Sequence, residues 1–384
     1  MIYHDITLRG PARACCNGTY PEFTAIRRWP STGRWLDPHP IGPALMMAPF
    51  FIVADVATRL TGGQRDGFSS YYQHAAGLAG LTYLLIGLAV LRRMLVRHFE
   101  PAVALTTLAT ITWGTNLFHY GTYDSVFSHA FSFCLIVSLV TLTDEWWAEP
   151  ATGRSTALGL IGALIFLTRH TNAMFLMFVP LHGIVDVATL RSRGPQLWAR
   201  RRNIAVMAAA AVLGALPQLL IYKQATGFWF VSPYSALGAG FRFGAPHLFG
   251  VLFSTQKGLF FWSPALLLAV AGFFVARGWP RSLILPSALV LAVNTYLIAS
   301  WFDWQFGGSF SHRGFTDSLG LLAIFMAAFF AWVATRPRVL GVVAPITALV
   351  VLLSVAQMIQ YWQGVLPIAD TTWTQYREAF LRFR

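Results

Sequence analysis

The chain has 384 residues, of which 56% are hydrophobic and only 11% charged, against roughly 25% charged in an ordinary soluble domain. A transmembrane helix takes about 20 apolar residues, so this composition supplies about ten crossings with little left over. That excludes a soluble enzyme, a disordered chain and a single-span receptor; the net charge of +13 reads as basic loops on one membrane face rather than a nucleic-acid-binding surface.

Apolar runs sit at 41–60, 72–96, 101–118, 125–143, 156–169, 173–190, 203–222, 258–276, 282–300, 315–335 and 339–361. The expected fold class is therefore all-α: a polytopic membrane protein of about ten spans plus one interfacial or re-entrant helix. Residues 1–40 form an N-terminal extramembrane segment, 41–362 the multi-span domain and 363–384 a C-terminal tail on the outer face. Arginines fall in alternate loops: Arg92, Arg93 and Arg97; Arg154; Arg191, Arg193, Arg200, Arg201 and Arg202; Arg277 and Arg281; Arg336 and Arg338. Those loops are expected on the cytoplasmic side. Loops with Arg65, Arg169, Lys223, Arg242, Lys257 and Arg313 face outside.

The side of residues 1–40 depends on 41–60. A full span places them inside, in keeping with Arg9, Arg13, Arg27, Arg28 and Arg34, and the residue pattern slightly favours it. An interfacial helix, suggested by Pro43, Pro49, Asp55 and Arg59, places them outside. Cys15 and Cys16 are adjacent and Cys134 lies in an apolar run, so neither a disulfide framework nor a metal spacing is evident. Lysine occurs only at Lys223 and Lys257; with abundant alanine this suggests GC-rich bacterial coding and an inner (plasma) membrane location.

Polar groups at the membrane edge carry the functional expectation. Asp37-Pro38-His39-Pro40-Ile41-Gly42-Pro43 is a rigid turn before an apolar helix, equally readable as a Pro/Gly start signal. In Tyr120 to His129, Asp124 is the only acid of its loop. It is either a general base for an acceptor hydroxyl or the N-cap of a helix starting near Ser125. Phe253-Ser254-Thr255-Gln256-Lys257-Gly258 offers a lysine and two hydroxyls at a helix start, a phosphate-binding corner or a snorkelling lysine. Trp301 to Arg313 holds Trp301, Asp303, Trp304, His312 and Arg313 around two glycines: aromatics and an acid suit a sugar face, and Arg313 suits a phosphate. Trp301 and Trp304 taken singly fit an aromatic belt. Arg169, His170, His182 and Asp186 are the other conspicuous polar groups, Asp186 being expected to pair with a loop arginine and Asp144, Glu145 and Glu149 to be solvated.

These segments together resemble the C-type glycosyltransferase superfamily, in particular bacterial members of the dolichyl-phosphate-mannose-protein mannosyltransferase type. His39-Pro40-Ile41-Gly42-Pro43 is similar to the segment opening a juxtamembrane helix there, Tyr120 to Phe133 to the second outer loop, and Phe253–Pro264 and Trp301–Asp317 to stretches of bacterial relatives. The resemblance implies an enzyme moving a sugar from a polyprenyl-phosphate donor to a glycan, lipid or protein hydroxyl on the outer face. It implies Asp124 or Asp37 as the catalytic acid residue. Lys257, Arg313, Arg169 and Arg242 would hold the donor phosphate, and His129, Trp301, Asp303, Trp304, His312 and His39 would line the substrate. No cofactor is evident and no metal site is indicated, although two outer-loop acids could hold a divalent metal. The family's first span and its first-loop Asp have no counterpart here, with Asp5, Glu22 and Asp37 the only nearby acids. The expectation is therefore a chain beginning downstream of its true start, or a truncated, inactive copy. The alternative is a transporter or flippase for a lipid-linked or small polar solute, with Asp124, His129, Asp303 and His312 as its polar path. It is weakened by the lack of an internal repeat beyond the Phe-Ser-His echo at 127–129 and 310–312.

Overall fold

The computed structural model describes residues 26–232, 239–276 and 281–384. Asp5, Arg9, Arg13, Cys15, Cys16, Glu22 and Arg277 lie outside the described residues. The fold is helical: apart from a two-residue antiparallel pairing of β1 (Arg27–Arg28) with β2 (Trp35–Leu36), every regular element described is a helix. Seven helices are long and apolar enough to cross a membrane. They are α1 (Gly42–Leu60), α2 (Ser70–Leu95), α5 (Ser128–Ala148), α9 (Arg201–Thr226), α13 (Arg281–Ser300), the segment ending in α14 (Leu319–Ala334), and α15 (Pro337–Trp362). Three shorter apolar helices accompany them: α3 (Pro101–Trp113), α6 (Thr152–Thr168) and α12 (Leu266–Val275). The chain is thus an all-helical protein with the make-up of an integral, multi-pass membrane protein.

Helices α5 and α14 form the middle of the bundle, with nearly all of α14 buried. Small residues set the close approaches. A Cβ on Gly80 of α2 would lie 2.0 Å from the Ser125 carbonyl oxygen, and one on Gly272 of α12 would lie 1.9 Å from the Phe325 oxygen in α14. Only a glycine lets these backbones touch, the usual device where helices pack in an apolar solvent. Helices α2 and α5 run the same way, since Gly87 meets Phe133 and Arg93 reaches Glu145 at 2.7 Å. Helix α6 returns against α5, with Trp146 donating to Ser155 at one end and Ser132 near Thr168 at the other. The outer faces of α9 and α15 stay apolar, exposing Val212, Leu213 and Leu220, and Leu349 and Leu352.

Two ends result. At one, the arginine end, Glu145 accepts from Arg93 and Arg97, Asp144 meets His182 at 3.0 Å and His98 at 3.6 Å, and Arg154 pairs with Glu149 at 2.8 Å. Asp144 and Glu145 are therefore paired members of the last turns of α5 rather than solvated loop charges. The other end gathers the start of α5, the end of α6, residues 301–318 and the end of α15; it is the site end.

Several expected spans differ in form. The 173–190 run is no single helix. A 3-10 helix (His170–Met177) runs into α7 (Phe178–Leu181), breaks at His182-Gly183, and restarts as α8 (Val187–Ala199). A 3-10 helix rises about 2.0 Å per residue, so residues 170–181 carry the chain from the site end to Asp144 in about 22 Å, about the length of α5 between His129 and Asp144. Among the described residues no arginine lies within ion-pair distance of Asp186. The carboxylate caps α8, accepting from the Thr189 N–H at 2.8 Å in a reciprocal capping box. The 258–276 run splits at Ser263-Pro264 into α11 (Leu259–Trp262) and α12, since Pro264 cannot supply the next helical N–H. The 101–118 run splits at Gly114 into α3 and α4 (Leu117–Gly121).

Helix α1 begins with Gly42 pressed on the backbone of Leu167 and Thr168, at the site end. Its later contacts are Phe50 with Tyr83, Phe51 with Tyr72, and Asp55 with Arg65 and Tyr72. All of these groups belong to the site end, to the loop before α2, or to α2 no further than its middle.

Candidate functional site

A buried carboxylate stands at the site end: Asp317, 1% exposed, in a 3-10 turn (Arg313–Ser318) that leads into α14. Its Oδ1 accepts from His129 Nδ1 at 2.8 Å, in the first turn of α5. Its Oδ2 accepts from Arg169 Nη1 at 3.1 Å and from Asn172 Nδ2 at 2.9 Å, at the junction of α6 with the 3-10 helix. Asn172 also reaches Ser132 Oγ at 3.1 Å. Four chain segments are thereby tied to one carboxylate, and a buried charge persists only when paired and hydrogen-bonded in this way.

A second set lies alongside. Asp124 Oδ2 is 2.9 Å from His119 Nε2, and Trp362 Nε1 is 2.8 Å from His119 Nδ1. An indole N–H only donates, so His119 Nδ1 is the acceptor and Nε2–H is the group presented to Asp124. His119 is fully buried, whereas the Asp124 side chain keeps 29% exposure. The rings of Tyr123, His119 and Trp362 lie nearly parallel, Tyr123 and Trp362 being 5.4 Å apart at 15°. The capping alternative for Asp124 does not hold. Helix α5 starts at Ser128 with Phe127 as its N-cap and no side-chain cap, so the carboxylate is committed to His119 and to the open side.

Two guanidiniums complete this end. Arg169 lies 5.6 Å from the Phe306 ring and Arg313 5.9 Å from it, with Arg313 also 5.5 Å from Phe127. Phe306 has φ +59° and Ser311 φ +54°; for a bulky residue such as Phe306 this region is strained, which is tolerated at sites the surroundings over-determine. Arg313 and Asp124 both act electrostatically on the Tyr120 phenol, whose pKa is driven up chiefly by burial. Tyr120 donates to the Phe310 carbonyl at 3.2 Å. His312 is fully buried, and among the described residues neither ring nitrogen has a well-formed hydrogen bond; burial above all, with Lys257 and Arg313 adding, pushes its pKa down to about 3.

Lys257 has a different setting from an open phosphate-binding corner. It is 3% exposed, donating to the Ser309 carbonyl and, at 2.9 Å, to the Ile368 carbonyl. It bolts the 301–312 loop to the C-terminal tail, and burial, then Arg313, lowers its pKa to about 8. The adjoining helix α11 has only four residues.

Of the residues singled out in the sequence, the structure thus gathers Asp124, His129, Arg169 and Arg313 at one end, with His312 and Lys257 in the wall behind. The others have separate contacts. Asp37 and His39 pair with each other at 2.9 Å, and the adjoining Ile41 N–H donates to Gln218 of α9. Arg242 is exposed in a loop whose backbone bonds Ser300. Trp301 meets Phe241 edge-on, and Trp304 stacks on His247 at 5.5 Å, over Gly250 of α10 (Leu248–Phe253). Asp303 accepts from the Phe306 N–H through its backbone oxygen. Sequence reading overlooked Asp317, although an acid at the head of a long apolar run is a signal in itself. It also overlooked His119 and Trp362, whose pairing nothing local announces.

Among the described residues no group of three or more His, Cys, Asp or Glu is placed to hold a metal ion. No family model matches the chain, and no curated protein or solved structure matches it.

Proposed function

We propose that the protein is a membrane glycosyltransferase that moves a sugar from a polyprenyl-phosphate donor to an acceptor hydroxyl, and that the site end faces outside. The observation that carries this reading is the gathering, at one end of the bundle, of a partly open carboxylate held by His119 and two guanidiniums, Arg169 and Arg313, that share the Phe306 ring. The Asp124 carboxylate would take the acceptor's hydroxyl proton as its oxygen bonds to the sugar's anomeric carbon. The bond from that carbon to the phosphate oxygen breaks, and the electron pair leaves on the polyprenyl phosphate. Arg313, with Arg169 beside it, would stabilise the negative charge growing on that leaving group, where charge stabilisation is most effective. Tyr123 and Trp362 would offer flat faces to the sugar.

In the same reading, α1 is an interfacial helix at the outer face. Residues 170–181 and the three short helices join the remaining long helices as about ten crossings. A transporter would place its polar groups near the middle of the spans; these lie at their ends, which favours the enzyme. The test is native mass spectrometry of the mildly extracted protein for a bound polyprenyl phosphate, followed by transfer assays with labelled polyprenyl-phosphate sugars. Asp124→Asn should lower transfer by about 10² or more with the fold intact. Bulk phospholipid alone, or wild-type transfer by Asp124→Asn, would refute the reading or the base role respectively.

A further inference from the structure

Helix α8, at the arginine end, is turned inside out. Its polar residues Ser192, Arg193 and Gln196 are buried or half-buried, with Arg193 donating to the His182 carbonyl and lying 4.1 Å from the Trp147 ring centre. Val187, Leu190 and Trp198 are instead 62%, 55% and 71% exposed. At helical spacing these three fall on one outward stripe, together with the exposed Arg191 and Gly194. A helix facing water carries the opposite pattern. Both ends of α8 stay at the arginine end. Before it His182 meets Asp144 at 3.0 Å; after it Arg200 lies 4.7 Å from the Trp147 ring centre and Asn203 donates to Ser155 at 3.2 Å. Its 13 residues rise about 20 Å, short of the ~30 Å of a hydrocarbon core. The helix therefore runs across the end of the bundle and does not cross with the spans.

The charge beside the stripe points to one occupant. Arg191, Arg201 and Arg202 are exposed, and among the described residues none has a carboxylate within ion-pair distance. The acids nearby are already engaged: Asp144 with His182 and His98, Glu145 with Arg93 and Arg97, and Asp186 as the cap of α8. Arg201 and Arg202 open α9 with no acid in its first turn, at the positive end of the helix dipole, where cations are disfavoured unless an anion offsets them. Arg201 also lies 5.3 Å from the Trp198 ring centre, which puts an indole and a guanidinium at one level, as at a membrane–water boundary. We infer that α8 lies in the membrane interface at the arginine end, with Val187, Leu190 and Trp198 in the acyl boundary and Arg191, Arg201 and Arg202 on the headgroups of anionic phospholipids. An apolar stripe edged by unmatched arginines fits a surface that is apolar below and anionic above. The inference rests on the helical membrane fold and not on sugar transfer.

The test uses the full chain in nanodiscs of phosphatidylcholine mixed with phosphatidylglycerol, one copy per disc. Nitroxides are placed at Leu190→Cys and Trp198→Cys in a Cys15→Ser, Cys16→Ser background, where the remaining Cys134 is buried. Collision with oxygen, which concentrates in lipid, is compared with collision with a water-soluble nickel chelate. Both labels should favour oxygen. Labels that favour the chelate place the stripe in water, and labels shielded from both reagents place it against protein; either result overturns the inference. Labels shielded only in discs holding two copies identify a second copy as the occupant and overturn it as well. The headgroup contact is read by native mass spectrometry as the retention of phosphatidylglycerol over phosphatidylcholine. The double variant Arg191→Gln, Arg201→Gln should lower that preference about fivefold or more. Arg377→Gln, an exposed arginine near the C-terminus, is the charge control. No preference in the wild type, or an equal loss in Arg377→Gln, refutes the anionic contact. Should Trp198→Cys fail to fold, Leu190→Cys and the arginine pair decide, since Leu190 is on the outward stripe and Arg191 and Arg201 are exposed.

Discussion

Replacing Asp317 by Asn tests the buried ion cluster directly. The change keeps the shape but removes the charge and one acceptor. An amide oxygen can serve His129 or the Arg169–Asn172 pair, while its NH₂ is turned against the other. Each bond to a charged group is worth about 1.5–3 kcal/mol, and breaking a buried ion pair costs about 3–5 kcal/mol. The Arg169 side chain retains 23% exposure and can turn partly toward solvent, so the lower part of that range applies. The expected loss is about 2–4 kcal/mol, read as the change in unfolding free energy in detergent micelles. A double-mutant cycle sharpens it. Arg169→Gln in the Asp317→Asn background should cost less than in wild type by more than about 0.5 kcal/mol, the level expected of independent sites. If Asp317→Asn stays within about 0.5 kcal/mol of wild type, or the two changes simply add, the cluster does not hold the four segments together.

Trp362→Phe strips the hydrogen bond donated to buried His119 Nδ1 and should cost about 1–3 kcal/mol. In a His119→Phe background the same change should cost less than about 0.5 kcal/mol; equal costs in both would deny the link. Gly272→Ala forces a methyl to 1.9 Å from the Phe325 oxygen and should destabilise by about 1–3 kcal/mol or more, with a melting point equal to wild type counting against the α12–α14 packing. For Lys257 the folded pKa of about 8 lies below the ordinary 10.5. Below pH 8 both states are charged and the burial cost is fully present; between about 8 and 10.5 the unfolded chain holds the extra proton, so stability rises with pH by up to about 3 kcal/mol. The difference in unfolding free energy between wild type and Lys257→Met, followed from pH 7 to 10.5, should show this rise, and a flat difference would contradict it.

The helical class was legible because apolar runs of spanning length are a composition-level signal, and the two ends were legible because arginine and acid fall at alternating run boundaries. The form of residues 170–181 was not, since Pro180 and Gly183 give no hint that a 3-10 helix with a longer rise stands where a single long helix was expected. At the site, Asp124, His129, Arg169 and Arg313 stand out as polar groups at the edges of apolar runs. Their partners do not: His119 and Trp362 are 243 positions apart, and Asp317 meets His129 across 188. Lys257 looked like a free cation for the same reason, because its acceptors are main-chain oxygens that no sequence pattern displays.

The bolt made by Lys257 has a consequence for biogenesis. Its acceptor at Ile368 lies 111 positions further along the chain, and the Trp362 indole that orients His119 lies 243 positions beyond that histidine. Synthesis runs from the N-terminus, so Asp124 and its histidine are made long before the groups that fix them. The site therefore stays unassembled until the chain past Ile368 has been made and has folded back on it.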